Sequence, residues 1–138
     1  VAAIIVNENN HVLLQLRDDK ENIFFPNHWG CFGGAIEPGE SIEQALHREL
    51  HEEIGVEFEE AQIEQFSTIS FNPTLDSPVI DRFFFVVKTH AQVLENIRLG
   101  EGHMYDFFTF GEMMKMPNLV PYDRFGLWLY FNQARFSD

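Results

Sequence analysis

The sequence is poor in cysteine, in long hydrophobic runs and in basic residues, and each shortage excludes a class of structure or partner. Cys31 is the single cysteine of the 138 residues, so no internal disulfide can form, and we expect a buried structural thiol in a cytoplasmic protein. No stretch approaches the ~20 consecutive apolar residues of a transmembrane helix. We therefore expect a protein that neither spans a membrane nor depends on disulfides.

Positive charge is scarce, with 9 Lys and Arg against 22 Asp and Glu and a formal net charge of −13. We expect no nucleic-acid partner, because binding a phosphate backbone requires a basic face. Most of the acidic residues are interpreted as serving solubility. A small phosphorylated substrate remains compatible with this charge if metal cations neutralise the binding site.

The remaining composition is that of a folded domain. Hydrophobic residues make up 45% of the chain and aromatic residues 14%, and the length fits one domain covering residues 1–138. Apolar runs bounded by turn residues predict six strands: Val1–Val6, His11–Leu16, Trp29–Phe32, Ile63–Ser70, Arg82–Lys88 and Tyr105–Phe110. Loops are predicted at Arg17–His28 and Phe71–Asp81, a turn at Gly100–Gly102, and helices at Gly111–Met116 and Asp123–Arg135. This order predicts an α/β fold in which helices cover a mixed β-sheet.

The clearest helix signal covers Ser41–Ile54. Ser41 and Gln44 have the spacing of a capping box, and Gly55 provides a C-terminal stop. Apolar residues at i, i+4 spacing predict the buried stripe of this helix: Ile42, Leu46, Leu50 and Ile54.

The same helix carries three glutamates beside its apolar stripe. At 100° per residue, Glu49, Glu52 and Glu53 fall within an arc of about 100°. Like charges at i, i+4 spacing destabilise a bare helix, so this crowding indicates a bound cation. Carboxylate oxygens favour magnesium, calcium or manganese over zinc. A glutamate-rich solvated helix is the alternative interpretation of this segment taken alone.

The segment Gly34–Val56 resembles the Nudix box, which reads G, five residues, E, seven residues, R-E-U-x-E-E-x-G-U, where U is aliphatic. Gly34, Glu40 and the run Arg48–Val56 match every fixed position of that pattern. The resemblance implies a Nudix-type α/β/α sandwich. It also implies a hydrolase that uses Mg²⁺, with Mn²⁺ as an alternative, on a small-molecule nucleotide substrate.

The resemblance further implies a role for each box residue. Glu52 and Glu53 would be metal ligands, and Glu49 would be a metal ligand and, as in some members, the general base. Arg48 would orient Glu49, and the carbonyl of Gly33 would add a further metal ligand. Structural roles in the box would fall to three residues: Gly34, Glu40 and Gly55.

Candidate site residues also lie outside the box. Arg17 ends the second predicted strand and is expected to bind a substrate phosphate. Glu101 is the best candidate for the late acidic metal ligand of many family members, with a surface-turn glutamate as the alternative. His103 is a candidate base or phosphate contact, with a surface histidine as the alternative. Three aromatic residues could stack on a base or pack in the core: Phe24, Phe25 and Trp29.

The leading functional hypothesis is hydrolysis of a phosphoanhydride bond in a nucleoside diphosphate linked to a group X, such as a nucleoside triphosphate or a nucleotide sugar. Two alternatives remain open. One is a nucleotide-sugar glycosyl hydrolase in which His103 is the base, and the other is a non-catalytic nucleotide-binding Nudix module. The oligomeric state is also open, with a homodimer among the alternatives.

Overall fold

A mixed β-sheet forms the centre of the molecule, whose computed structural model describes residues 1–97 and 104–136. Its strands are β1 Ala2–Val6, β2 Val12–Leu16, β3 Trp29–Gly30, β4 Phe32–Gly33, β5 Ile63–Phe71, β6 Ile80–Lys88 and β7 Met104–Phe108. The α-helices are α1 Ile42–Ile54, α2 Phe110–Lys115 and α3 Pro121–Asn132. Short 3-10 helices cover Glu60–Gln62, Ala91–Asn96 and Gln133–Phe136.

Strand β1 lies in the middle of the sheet. It pairs in parallel with β6 and antiparallel with β2 and β4, while β5 pairs antiparallel with β6 and β7 pairs antiparallel with β2. All five residues of β1 are buried, because both faces of the sheet are covered. The predicted mixed sheet is therefore confirmed.

Alternate residues of β1 belong to two different cores. Ala3 and Ile5 pack in the core that contains the buried side of α1. Ala2, Ile4 and Val6 pack on the opposite face, in the core that contains residues of α2 and α3. This alternation follows from the two-residue period of a strand, and the two covered faces confirm the predicted α/β/α arrangement.

Helix α1 begins and ends where the sequence predicts. The Ser41 hydroxyl accepts a hydrogen bond from Gln44 N at 3.1 Å, and the Gln44 side chain accepts one from Ser41 N at 2.8 Å. Gly55 ends the helix in the left-handed region with φ 66°, a conformation that glycine adopts without steric cost. Both predicted caps are confirmed.

Several predicted boundaries are wrong, and each has a local cause. The strand Trp29–Phe32 is interrupted at Cys31, because Cys31 N donates to Asp123 Oδ2 at 2.9 Å rather than to a neighbouring strand. The strand predicted at Arg82 begins earlier, because Ile80 pairs with Phe71 and extends the β5–β6 hairpin.

The C-terminal boundaries also shift. Strand β7 stops at Phe108, because Thr109 is the N-cap of α2 and its hydroxyl accepts a hydrogen bond from Glu112 N at 3.1 Å. Helix α3 begins at Pro121 rather than Asp123, since proline suits the first turn of a helix. The predicted turn Gly100–Gly102 lies outside the described residues.

In residues 1–97 and 104–136, no helix has both the length and the apolarity needed to cross a membrane. Cys31 is free and buried, as predicted. Desolvation raises the pKa of its thiol well above the ordinary value, and the nearby Asp123 carboxylate adds to that shift.

Candidate active site

Arg48 ties the loop before α1 to the helix itself. Its Nε lies 2.7 Å from Glu40 Oε2 and its Nη2 lies 2.9 Å from Glu40 Oε1, which makes a two-point contact. Nη2 also donates to the carbonyl of Ala35 at 2.8 Å. The hydrogen bonds from Arg48 are the main reason that the pKa of Glu40 falls to about 2.

The same guanidinium also holds Glu49. Arg48 Nη1 donates to Glu49 Oε1 at 2.9 Å, so the carboxylate is fixed between the arginine and the backbone of Gly34. Burial raises the pKa of Glu49, and the repulsion of Glu52 adds to that shift, while Arg48 opposes it. Glu49 is thus a partly desolvated carboxylate whose charged form a neighbouring cation would stabilise.

Glu49 and Glu53 line one cavity of about 290 Å³, together with the backbone of Gly33 and Gly34. Glu53 is only 8% exposed, and its Oε2 accepts a hydrogen bond from Gly33 N at 3.0 Å. Gly33 has φ 152°, and a Cβ there would lie 2.1 Å from the carbonyl oxygen of Val1. Glycine is therefore required where the β4 backbone turns toward α1.

Glu52 takes a different direction from the other two glutamates. Its side chain is 56% exposed, its Oε2 lies 3.3 Å from Arg48 Nη1, and it is absent from the lining of the cavity. In the part of the chain that the structure describes, no group of three or more His, Cys, Asp or Glu side chains is arranged to hold a metal ion. The helix thus directs two carboxylates, Glu49 and Glu53, into the cavity and leaves Glu52 at its rim.

Arg17 lies between this cavity and a second one. Its Nε donates to the carbonyl of Phe24 at 3.0 Å, and it lines both spaces. The second cavity has a volume of about 410 Å³ and shares Gly33 and Gly34 with the first. A ligand that occupies both cavities would pass Arg17.

Arg82, which lines the second cavity, belongs to a buried ion pair that the sequence did not predict. Arg82 Nε lies 2.8 Å from Asp123 Oδ1, and the Asp123 side chain is almost fully buried. Desolvation opposes the charged guanidinium, but the attraction of Asp123 leads the effects that raise the pKa of Arg82 above its ordinary value. The one signal available in the sequence was an aspartate inside an apolar helical segment.

Aromatic residues form the wall beside this ion pair. Tyr122 stacks on Phe71 with ring centroids 4.6 Å apart and an interplanar angle of 27°. The Arg82 guanidinium carbon lies 4.9 Å from the centroid of Tyr122 and 5.6 Å from that of Phe84. The planar cation therefore contacts two aromatic rings.

The three aromatic residues named from the sequence have different positions. Phe24 is partly exposed and lines the second cavity. Trp29 packs against Phe108 in the core, with centroids 4.8 Å apart, and Phe25 contacts the edge of Tyr122. The other two residues named from the sequence, Glu101 and His103, lie outside the described residues.

The fold and the loop–helix site define a class of protein. A family model described as the NUDIX domain matches residues 1–128. The chain therefore belongs to the NUDIX-domain family, and the membership that the Gly34–Val56 segment predicts is confirmed.

Named relatives and solved structures agree with that assignment. The nucleoside triphosphatase NudI of Escherichia coli is 44% identical over 55 residues, which cover 40% of this chain and only 38% of that protein. The MutT protein of Methanosarcina mazei Go1 has a TM-score of 0.77 at 21% identity, covering 99% of this chain and 93% of that chain. The E. coli ORF135 protein has a TM-score of 0.74 at 27% identity, covering 99% and 91%.

Proposed function

We propose that this protein is a metal-dependent hydrolase that cleaves a phosphoanhydride bond in a nucleoside diphosphate linked to a further group. The observation that carries the proposal is the placement of Glu49 and Glu53 in one cavity, against the glycine backbone that precedes α1. Two desolvated carboxylates beside open backbone are a site for a hard cation and a phosphate group.

The residues present fit a divalent cation. Glu49 and Glu53 offer carboxylate oxygens, and the backbone carbonyl of Gly33 is a further oxygen donor; Mg²⁺ and Mn²⁺ both accept such ligands. Burial is the main cause that raises the pKa of Glu49, with the repulsion of Glu52 as a smaller one, and a cation bound beside the carboxylate would favour its charged form. Glu52 is the weakest member of the proposed set, because its carboxylate faces Arg48 and solvent.

A bound magnesium ion would offset the charge of the diphosphate and lower the pKa of a water molecule. The chain itself supplies the remaining functions. Glu49 would accept the proton of the attacking water, because it is the carboxylate that Arg48 holds in the cavity. Arg48 keeps the Glu49 carboxylate in one orientation through Nη1, and Arg17 binds a phosphate at the boundary of the two cavities.

Nucleoside triphosphates are the first substrates to test. NudI, the relative with 44% identity over its matched segment, is named a nucleoside triphosphatase. The second cavity, with its aromatic wall, has the character of a site for the nucleoside part of such a substrate. The net charge of −13 opposes the approach of a polyphosphate, and a bound cation would offset that repulsion.

The test measures phosphate and pyrophosphate release from the four deoxynucleoside triphosphates, with Mg²⁺ and after chelation with EDTA. We expect turnover that EDTA abolishes and added Mg²⁺ restores. Turnover that survives chelation would contradict a metal-dependent mechanism. Binding of nucleotides without any turnover would instead favour the non-catalytic module.

Substitution of the glutamates tests the residue assignment. We expect Glu49→Gln and Glu53→Gln each to lower kcat by at least ~100-fold, the usual effect of removing one base or electrostatic group, and Glu52→Gln to lower it less, because Glu52 lies outside the cavity lining. Circular dichroism should show an unchanged fold, because each change is nearly isosteric. Glu43→Gln, at an exposed position in the first turn of α1, is the matched control and should keep wild-type turnover.

A further inference from the structure

Arg82 lines the second cavity, and its two Nη groups remain available to a ligand there. Arg82 uses Nε for Asp123, and within residues 1–97 and 104–136 neither Nη atom donates to a protein group. In the same described residues, no buried side-chain nitrogen or oxygen lacks a partner. Both Nη atoms are therefore accessible, and the side chain, which is 16% exposed, reaches the space that it lines.

The guanidinium is held rigidly in that position. Asp123 fixes it on one edge, at 2.8 Å, and the rings of Tyr122 and Phe84 pack against it. Asp123 is itself held by the Cys31 N–H at 2.9 Å. A planar cation fixed in this way presents two parallel N–H donors at little entropic cost when a ligand binds.

The surroundings of Arg82 favour a neutral flat ring over a phosphate group. Asp123 already balances its charge, and the cavity wall is largely apolar or aromatic: Phe24, Ile36, Phe71, Pro73, Ile80 and Tyr122. A phosphate beside Arg82 would lose its hydration next to a cation whose charge Asp123 already balances, whereas Arg17 lies where this cavity meets the first. The cavity with Glu49 and Glu53 lies on the other side of Arg17 and is the place for the phosphates.

We infer that Arg82 reads the hydrogen-bonding edge of the nucleobase, so that the site prefers a base with two adjacent acceptors over adenine. This inference rests on the proposed function, since it assumes that a nucleotide lies across the two cavities. Guanine presents O6 and N7, and cytosine presents O2 and N3, as acceptor pairs that match two parallel N–H donors. Adenine places an amino donor beside each of its N1 and N7 acceptors and so cannot accept both hydrogen bonds.

Binding of non-hydrolysable nucleotides tests the inference without requiring turnover. Dissociation constants of the α,β-imido triphosphates of the four deoxynucleosides would be measured by calorimetry, in magnesium-free buffer and with Mg²⁺. We expect the cytosine or guanine analogue to bind about 5- to 150-fold more tightly than the adenine analogue, the range that one two-point contact provides. Equal affinities for all four, or no binding, would overturn the inference.

Arg82→Lys tests the residue itself. Lysine keeps the charge beside Asp123 but lacks the planar fork, so the preference over adenine should fall to within about 2-fold. Arg124→Lys is the matched control, because Arg124 donates to the carbonyls of Met113 and Met114 and lines neither cavity; it should keep the wild-type preference. An equal loss of affinity for all four analogues in Arg82→Lys would show a phosphate contact and refute base reading.

The outcomes separate this inference from the proposed function. Selective binding without hydrolysis would refute the proposed activity and leave base reading standing, whereas hydrolysis without selectivity would do the reverse. If Arg82→Lys fails to fold, the wild-type affinities for the four analogues still show whether the site prefers a base with two adjacent acceptors over adenine. If the site prefers guanine, the 7-deazaguanine triphosphate, which lacks N7, tests which edge is read. An affinity for this compound no higher than that for the adenine analogue would assign the preference to the O6 and N7 edge.

Discussion

Gly34→Ala should separate catalysis from stability more clearly than substitution of any charged residue in the site. A Cβ on Gly34 would lie 2.4 Å from Glu49 Oε1, 2.5 Å from its Cδ and 2.7 Å from its Oε2. Ordinary contact begins at 3.4 Å, so the carboxylate must retreat by about 1 Å. Arg48 Nη1, at 2.9 Å, would have to release or follow it.

The expected effects on activity and on stability differ in size. A displacement of about 1 Å in a reacting group costs about 100-fold in rate, so we expect kcat to fall by about that factor. The free energy of unfolding should change by less than about 1 kcal/mol, because the displaced atoms end a flexible side chain and alanine restricts the unfolded chain. Gly34 is not among the positive-φ glycines, so the backbone accepts alanine.

The assay combines steady-state phosphate release with urea unfolding, and Gly39→Ala is the matched control in the same loop. Gly39 has φ 81° and no atom within 4 Å of a Cβ, so alanine there is strained but touches nothing. We expect Gly39→Ala to lower the free energy of unfolding by about 1–2 kcal/mol and to keep turnover. Gly34→Ala should therefore lose turnover and keep its stability, whereas Gly39→Ala should lose stability and keep its turnover.

A double variant gives the result that would refute this reasoning. If Gly34→Ala acts only by moving Glu49, it should add almost nothing to the loss already caused by Glu49→Gln. A further 100-fold loss in the double variant would mean that Gly34 acts through another group. Wild-type kcat in Gly34→Ala would mean that the position of Glu49 does not limit the reaction.

Two further predictions concern stability. The pKa of Glu40, lowered from 4.5 to about 2 chiefly by Arg48, means that its stabilising contribution is present above pH 4.5 and is lost as pH falls toward 2. The difference in unfolding free energy between wild type and Glu40→Gln should therefore narrow over that range in urea titrations, and a constant difference would contradict the role of the pair. Gly126→Ala places a Cβ 2.6 Å from Phe84 Cζ, so it should destabilise by about 1–3 kcal/mol, and an unchanged melting temperature would show that the core can adjust.

The family and the box helix could be predicted from local patterns in the sequence, and the mixed sheet could be predicted from the order of the strands and helices. The caps at Ser41 and Gly55 are set by residues within one turn of the helix ends, and the apolar stripe follows from helical period alone. The apolar run at Arg82–Lys88 predicted a strand, and four consecutive residues of that strand, Phe84–Val87, are buried. Strand boundaries were predicted wrongly where a residue distant in the sequence takes a backbone hydrogen bond, as Asp123 does at Cys31.

The contents of the second cavity were decided only by tertiary structure. Arg82 and Asp123 are 41 residues apart and Cys31 and Asp123 are 92 apart, so no local pattern joins them. Sequence spacing placed Glu49, Glu52 and Glu53 on one arc, but the packing of α1 against β4 sends Glu53 to the Gly33 N–H and leaves Glu52 beside Arg48. A helical period gives directions around an axis, whereas the partner backbone and the exclusion of water decide which of those directions enters a cavity.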